Sequence, residues 1–349
     1  MKHTLIRLML VALLAVGLPA VVACGSDSSS SSSKSGASST PAKKKLRVAM
    51  VTDIGGLNDR SFNALAYKGL QQAKGQLGAD IRVLTSKSNA DYVPNLSSLA
   101  RQKYDLVVAV GFLMADATAK VAKAFPGQKF AIIDVSQAAL KGKPKNVNGL
   151  LFKEQEAGYM AGYLAGLYVK QKGGKQVISS VGGQKIPPVD HYIAGYQAGA
   201  KKANPAIKTL NGYSQDFVDQ AKCKEIALNQ IGAGSQVVFQ VAGQCGLGAL
   251  DAAKEKGVQG IGVDADQGYL GSHILTSALK KVDVSVLDTV KAIQNGTLKP
   301  GTDATFEAKN NGVGFGKVNA KGQPFKAQVD KIQQQIASGQ VPNIPDTVK

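Results

Sequence analysis

Thirteen residues near the start of the folded part of the chain hold a dense group of side chains that could do chemistry. The stretch VTDIGGLNDRSFN occupies positions 51–63 and follows an apolar run of strand length. Its candidate binding groups are Asp53, Asn58, Ser61, Phe62 and Asn63. An ionised Asp accepts hydrogen bonds from hydroxyl and N–H groups, and a Phe ring offers a face for stacking. This set suits a neutral, hydroxyl-rich molecule with a flat part.

The same residues also have structural interpretations. Asp53 and Asn58 could cap the helix that follows, because short polar side chains accept hydrogen bonds from the free N–H groups of a first turn. Phe62 lies near the start of that helix, where burial in the core is the usual fate. Capping and ligand contact are compatible, and we predict ligand contact for all three.

Motifs of the common enzyme classes are missing from the sequence. Once the N-terminal signal described below is removed, the histidines are His191 and His273. There is no His-rich metal spacing, no G-x-S-x-G elbow and no G-x-x-x-x-G-K-[ST] phosphate loop, and the first strand is not followed by G-x-G-x-x-G. A general base among the Asp residues is the remaining route to catalysis. We therefore expect a binding protein that is not an enzyme and that uses no metal and no cofactor.

Alternating strand-like and helix-like segments must position these loops. The strands are nearly continuous apolar runs, which fits parallel strands covered on both faces. The first set is LRVAMVTD, IRVLTSK, YDLVVAVG, FAIIDVS and VNGLLF, and the second is KQVISSVGG, IKTLNGYSQ, SQVVFQVAG, VQGIGVDAD and HILTSAL. Two similar sets predict an α/β fold of two doubly wound parallel-sheet lobes. Ligand groups of such sheets gather in the loops at the carboxyl ends of the strands, where the opening stretch lies.

The first 45 residues predict export and a membrane anchor. Residues 1–23 combine a basic start, a sixteen-residue apolar run and V-V-A before Cys24, a pattern typical of a lipoprotein signal peptide. Cys24 would then carry lipid, whereas the alternative is an ordinary signal peptide followed by an incidental Cys. Residues 24–45, rich in Ser and Lys, predict a disordered tether. We expect the protein at the extracytoplasmic face of the cell membrane, held there by its lipid anchor.

Charge and cysteine content limit the partners. The chain has 42 Lys and Arg against 24 Asp and Glu, and loss of Lys2 and Arg7 with the signal lowers its net charge from +18 to +16. Nucleic acid is not an expected partner, because the basic residues are scattered and do not alternate with aromatic residues in a cluster. Cys223 and Cys245 remain, and outside the cytoplasm an even pair is more often bridged than free. We expect a disulfide, with two buried thiols as the alternative.

Seven segments together carry a resemblance to a known family. They are VTDIGGLNDRSFN, VGFLMADA, GYMAGYLAG, GGQKIPPVDHYIAGYQAG, VVFQVAG, IGVDADQ and ILTSALKKVD, in that order. The chain from about Leu46 to the C-terminus resembles the basic membrane protein (BMP) family of bacterial lipoproteins, which are similar to the purine nucleoside receptors of ABC importers.

The resemblance implies a type I periplasmic-binding-protein fold, with two lobes joined by a three-segment hinge and closing on one ligand. The implied lobes are residues 46–152 plus 279–304 and residues 153–278 plus 305–349. The implied partners are a purine nucleoside, such as guanosine, inosine or adenosine, and the permease subunits of an ABC importer. The protein itself is expected to be a monomer.

The resemblance also implies roles for individual residues. Phe62 and Phe239 would sandwich the purine, although the apolar strand around Phe239 would by itself predict core packing. Asp53 and Asp116 would contact the base. Asp264 and Lys280 would hold the ribose hydroxyls, with Asp266 and Lys281 as the adjacent alternatives. Supporting contacts are implied for Asn58, Ser61, Asn63 and Gly243.

One loop departs from the family pattern. Where the family has a Gly-Gly-Thr-Gly type of sequence, this chain has GQCG at positions 243–246. A Gln side chain at the cleft and a bridged Cys could change the ligand that fits. The alternatives are therefore a sugar or other small solute as ligand, or a solute sensor without a transporter.

Overall fold

A computed structural model describes residues 45–348 of the chain. The predicted signal peptide (1–23), the predicted lipidation site Cys24 and the predicted tether (24–45) fall outside the described residues, apart from Lys45. In the part that is described, no helix combines the length and the apolar character needed to cross a membrane.

The first part of the chain alternates strands and helices, as its apolar pattern predicts. The elements are β1 (Arg47–Val51), α1 (Phe62–Leu77), β2 (Asp80–Leu84), α2 (Tyr92–Arg101), β3 (Leu106–Ala109), α3 (Ala115–Ala124), β4 (Phe130–Ile133) and β5 (Val147–Phe152). Strands β1, β3 and β4 are almost completely buried, because helices cover both faces of the sheet.

The second part repeats this arrangement after a long helix. Its elements are α4 (Glu154–Lys172), β6 (Val177–Gly182), α5 (Pro187–Ala203), β7 (Lys208–Tyr213), α6 (Gln220–Gly232), β8 (Val237–Val241), α7 (Cys245–Glu255), β9 (Gln259–Asp264) and β10 (Ile274–Lys280). The remaining elements are α8 (Val282–Gln294), β11 (Asp303–Phe306), β12 (Val313–Phe315) and α9 (Lys326–Ala337).

The strands form two six-stranded sheets of matching topology. The first has the order β11-β5-β4-β3-β1-β2 and the second the order β12-β10-β9-β8-β6-β7. Neighbouring strands are parallel except for the antiparallel pair β10 and β12. The order 2-1-3-4-5 is that of a doubly wound sheet, and it occurs once in each lobe. The α/β, two-lobe prediction is confirmed.

The chain passes between the sheets three times. It leaves the first sheet after Phe152 and returns after β10, because α8 packs on α1 and β11 pairs with β5. It leaves again for β12, which pairs with β10. The expected boundaries at 278/279 and 304/305 lie two residues too early, since both strands continue: Lys280 still pairs in β10 and Phe306 in β11.

Cys223 and Cys245 are joined by a disulfide, with Cα atoms 5.5 Å apart. It links α6 to the first residue of α7. The predicted bridge is therefore confirmed over the alternative of two buried thiols.

Candidate functional site

A cavity opens between the two lobes at the carboxyl ends of their strands. It encloses about 610 Å³ of empty space, counted out to its open mouth. The first lobe lines it with the loops after β1, β3 and β4 and the start of α1, and the second with the loops after β6, β7 and β8, the start of α5 and the ends of β9 and β10. The sequence analysis predicted this location, because ligand groups of doubly wound sheets gather at the carboxyl ends of the strands.

Asp59, which the sequence analysis did not select, caps helix α1. Its carboxylate accepts hydrogen bonds from the backbone N–H groups of Ser61 (3.0 Å), Asn63 (2.7 Å) and Ala64 (3.1 Å). Asp53, one of the two residues that the sequence suggested as a cap, is therefore not needed for capping. It lines the cavity instead.

Asp53 is held in place by Asn63, another cavity residue. Its Oδ1 atom accepts from Asn63 Nδ2 at 2.7 Å and from the N–H of Gly55 at 2.8 Å. Burial raises the pKa of Asp53 to about 6, against the lowering effect of these hydrogen bonds. Near neutral pH the group can therefore change between acceptor and donor at little cost, which suits contact with ring N–H or ring nitrogen atoms.

Two other residues of the opening stretch lie elsewhere. Asn58 is exposed and borders a separate surface groove, so its predicted ligand contact is not supported. Ser61 is buried and does not line the cavity; its Oγ lies 2.7 Å from Asp264 Oδ2 and 3.0 Å from the Val263 carbonyl oxygen. It therefore joins the first lobe to the second instead of facing the cavity.

Four aromatic side chains line the cavity, Phe62 and Phe112 from the first lobe and Tyr192 and Phe217 from the second, and the prediction for Phe239 is corrected. Phe239 has no exposed surface, and its ring packs on Tyr196 and Tyr192 with centroids 4.9 and 6.1 Å away. The reason is that β8 is an inner strand of the sheet and that α5, which carries both tyrosines, covers this side chain. Phe217 lies in the loop after β7, half-buried and facing the cavity.

The predicted base contact of Asp116 is also corrected. Asp116 is exposed on the first turn of α3, and the cavity is lined by residues three to five positions earlier, including Gly111 and Phe112. Gly111 has a φ of 108°, and a Cβ atom there would lie 3.1 Å from the Phe62 ring. The turn needs glycine on both counts.

Asp264 is the last residue of β9 and lines the cavity, and both of its carboxylate oxygens accept hydrogen bonds from other side chains. Oδ1 accepts from the Tyr192 hydroxyl at 3.0 Å and Oδ2 from Ser61. Its φ of 59° is left-handed, which costs free energy for a residue other than glycine and is common at functional sites. Asp266 lies outside the cavity lining and accepts hydrogen bonds from the N–H groups of Gly268 and Lys317, so Asp264 is the Asp that the cavity uses.

Lys280 is a buried cation between the lobes. Its Nζ atom lies 2.6 Å from Asp134 Oδ1 and 2.8 Å from Glu154 Oε1, and 5.0 Å from the Phe62 ring centroid. An ammonium group has three N–H donors, and these two carboxylates take two of them. Lys281 lies one residue past the end of β10 and is not a cavity residue.

The carboxylates keep Lys280 charged. Burial alone would lower the pKa of Lys280, but Asp134, Glu154 and Asp264 together raise it. Burial leaves the pKa of Asp134 raised despite the ammonium. Asp134 also has a left-handed φ, of 69°, at the end of β4, the position in the first lobe that Asp264 holds in the second.

The sequence analysis missed Asp59, Asp134, Glu154, Tyr192 and Phe217. The strand FAIIDVS places Asp134 at a carboxyl end, and SQDFVD places Phe217 in a polar loop after a strand. Both segments, like the opening stretch, place polar residues directly after a strand. Asp134 and Phe217 could therefore have been selected from the sequence.

Gln244 of the GQCG loop does not enter the cavity. Its neighbour Gly243 lines the cavity, whereas Gln244 borders the same outer groove as Asn58. The departure from the family pattern therefore adds no Gln side chain to this cavity.

Two doubly wound lobes around one shared cavity define a solute-binding protein of the periplasmic type. The chain belongs to the Bmp family, described as ABC transporter substrate-binding protein, PnrA-like, whose model matches residues 46–344. It is 38% identical over 284 residues to an uncharacterized lipoprotein of Pyrococcus abyssi, covering 78% of this chain and 69% of the relative. It is 35% identical to the ABC transporter nucleoside-binding protein BmpA of Lactococcus lactis, covering 87% of this chain and 91% of the relative.

Solved structures agree with this assignment. A solute-binding protein of an ABC transporter system from Aeropyrum pernix K1 matches with a TM-score of 0.77 and 28% identity, over 86% of this chain and 94% of that one. A second, from Conexibacter woesei, matches with a TM-score of 0.70 and 25% identity, over 87% of this chain and all of that one. The chain is thus a substrate-binding protein of the ABC transporter class.

Proposed function

We propose that this protein captures purine nucleosides in the cavity between its lobes and delivers them to an ABC permease. The observation that carries the proposal is that aromatic rings of both lobes, among them Phe62 and Phe217, line the cavity beside a buried group of one cation and several carboxylates. A flat base suits the rings, and a polar sugar suits the charged end.

At the ribose end, Lys280 and Asp264 have hydrogen-bonding capacity to spare. Lys280 has one N–H donor beyond those directed at Asp134 and Glu154, and each Asp264 oxygen has a second lone pair. A vicinal diol presents both a donor and an acceptor within the reach of such a pair. Fixed acceptors and a fixed donor would discriminate against a ligand that lacks the hydroxyls, because the spare lone pairs of Asp264 and the third N–H donor of Lys280 would stay unsatisfied.

At the base end, Asp53 is the group that would contact ring N–H or nitrogen atoms. Its pKa, raised to about 6, lets it accept a hydrogen bond from one purine and donate to another. Phe62 and Phe217 would hold any purine, so affinity comes mainly from the rings and selectivity from the polar groups.

Two relatives support the finer parts of the proposal. The Lactococcus lactis relative is named as a nucleoside-binding protein, and the Pyrococcus abyssi relative as a lipoprotein. We propose accordingly that Cys24 carries a lipid anchor and that the folded body works as a monomer at the extracytoplasmic face of the membrane.

Titration calorimetry on unfolded and refolded protein, freed of any carried ligand, tests the proposal. The panel contains guanosine, inosine, adenosine, their free bases, ribose and common sugars. We expect binding of the nucleosides, weaker binding of the bases and none of ribose. Binding of a sugar with no nucleoside bound would favour the alternative of another small solute.

A further inference from the structure

The loop that carries Phe217 is exposed for much of its length, although the ring itself faces the cavity. Residues 214–219 connect β7 to α6, and Gln215, Val218 and Asp219 within them are exposed. A ring that stacks on a ligand binds more tightly when it is already held in one orientation, because ordering a mobile loop on binding costs free energy. The contacts that restrain this loop therefore bear on affinity.

Local hydrogen bonds shape the loop without burying it. Asp216 Oδ1 accepts from the N–H groups of Val218 and Asp219, and Asp216 Oδ2 pairs with Lys222 Nζ at 2.8 Å. These contacts are exposed or partly exposed, and an ion pair of that kind contributes little to stability. The N–H groups of Ser214 and Gln215 donate to the carbonyl oxygens of Gly182 and Gly183 and hold the start of the loop to the sheet, two residues before Phe217.

Two further contacts, with buried partners, hold Phe217 itself. The Phe217 ring rests on the bare backbone of Gly183, where a Cβ atom would overlap the ring. The Phe217 carbonyl oxygen accepts a hydrogen bond from the N–H of Cys245 at 3.1 Å. Cys245 is fully buried and is the first residue of α7.

The disulfide completes a closed ring around this loop. Cys245 is bonded to Cys223, the fourth residue of α6 and six residues after Phe217. The path runs from the Phe217 carbonyl across the hydrogen bond to Cys245, over the disulfide to Cys223, and back along residues 222–218. The residue that holds Phe217 is therefore itself tied to the helix that follows Phe217.

Helices α6 and α7 also touch independently of the disulfide. Gly248 passes so close to the carbonyl oxygen of Gln220 that a Cβ atom on it would overlap that oxygen. The two helices should therefore stay packed when the disulfide is absent, so that its loss loosens the loop while the lobe stays folded.

We infer that the Cys223–Cys245 disulfide is a positioning element for the binding site, which fixes Phe217 against Gly183 as the second aromatic wall. The affinity part of this inference rests on the proposed nucleoside function, whereas the positioning part does not. Cys223 and Cys245 touch no ligand; they act through Phe217.

Hydrogen exchange tests the positioning part without any ligand. Wild-type protein is compared with and without dithiothreitol, and with the Cys223→Ser, Cys245→Ser double variant. Amides of residues 214–219 and of residue 245 should exchange at least several-fold faster without the disulfide, while those of α3 keep their rate. Unchanged exchange in the loop, or equal acceleration in α3, would overturn the inference.

A double-mutant cycle tests the affinity part, with inosine as the probe. Removing the disulfide should weaken inosine binding about threefold to tenfold, a part of the stacking contribution of one ring. In a Phe217→Ala background the same removal should have no effect, because the group through which it acts is gone. An equal loss in both backgrounds, or no loss in either, would refute the role of Phe217.

A remote core variant controls for stability. Val121→Ala, in α3 of the other lobe, lowers the melting temperature and should leave inosine affinity unchanged. If wild-type protein binds no nucleoside, the proposed function fails, and the exchange experiment still decides the positioning inference.

Discussion

Replacing Phe217 by Ala should weaken nucleoside binding far more than any change at Phe239. Phe217 is half-buried and lines the cavity, so the substitution removes a wall of the site and little of the core. Base stacking on an aromatic side chain contributes about 1–3 kcal/mol, which corresponds to about 5-fold to 150-fold in Kd. Titration calorimetry with inosine and guanosine measures this directly.

Phe239 supplies the matched comparison, because it is the ring that the family resemblance implied as the second wall. Its side chain is fully buried against Tyr192 and Tyr196. Phe239→Leu should lower the free energy of unfolding by about 1 kcal/mol or more, through lost packing. Its inosine Kd should stay within about twofold of wild type. If Phe217→Ala binds like wild type, or if Phe239→Leu loses more affinity, the assignment of the aromatic walls is wrong.

Three further substitutions test the polar groups. Asp264→Ala should weaken nucleosides by about tenfold or more but free bases much less, as titration calorimetry would show; equal losses would remove the ribose contact. Lys280→Met should lower the free energy of unfolding in urea by about 3–5 kcal/mol, since it leaves buried carboxylates without their cation; a loss below about 1 kcal/mol would mean that the group is solvated. Ionisation of Asp53 costs stability as the pH rises from about 4 to about 6, because its pKa is higher in the folded than in the unfolded chain. Asp53→Asn should therefore gain up to about 3 kcal/mol over wild type above that window, and the exposed Asp116→Asn should not; parallel stability curves for Asp53→Asn and wild type would contradict the assignment.

The sheets could be predicted from sequence because their strands are continuous apolar runs. Phe130–Ile133 and Val237–Val241 have no alternating polar residues, and both are buried strands of a parallel sheet. The same property by itself predicted core packing for Phe239, and only the family resemblance placed that ring at the ligand. A strand covered on both faces gives no signal for which side chain, if any, reaches the cleft.

Long-range contacts explain most of the remaining differences. Glu154 and Asp134 lie 126 and 146 positions from Lys280, and no local pattern pairs them. Short edge strands such as Val313–Phe315 have too few residues to show a period. Phe62, Asp264 and Lys280 were found because each follows or ends a strong apolar strand or lies in a motif of the family.

The most direct test of the account is a crystal structure of the refolded protein with inosine. We expect the base between Phe62 and Phe217, with the ribose hydroxyls within hydrogen-bond distance of Lys280 Nζ and an Asp264 oxygen. A base stacked on other residues, a ribose pointing away from Lys280, or a cavity empty of inosine at saturating concentration would contradict the proposed function.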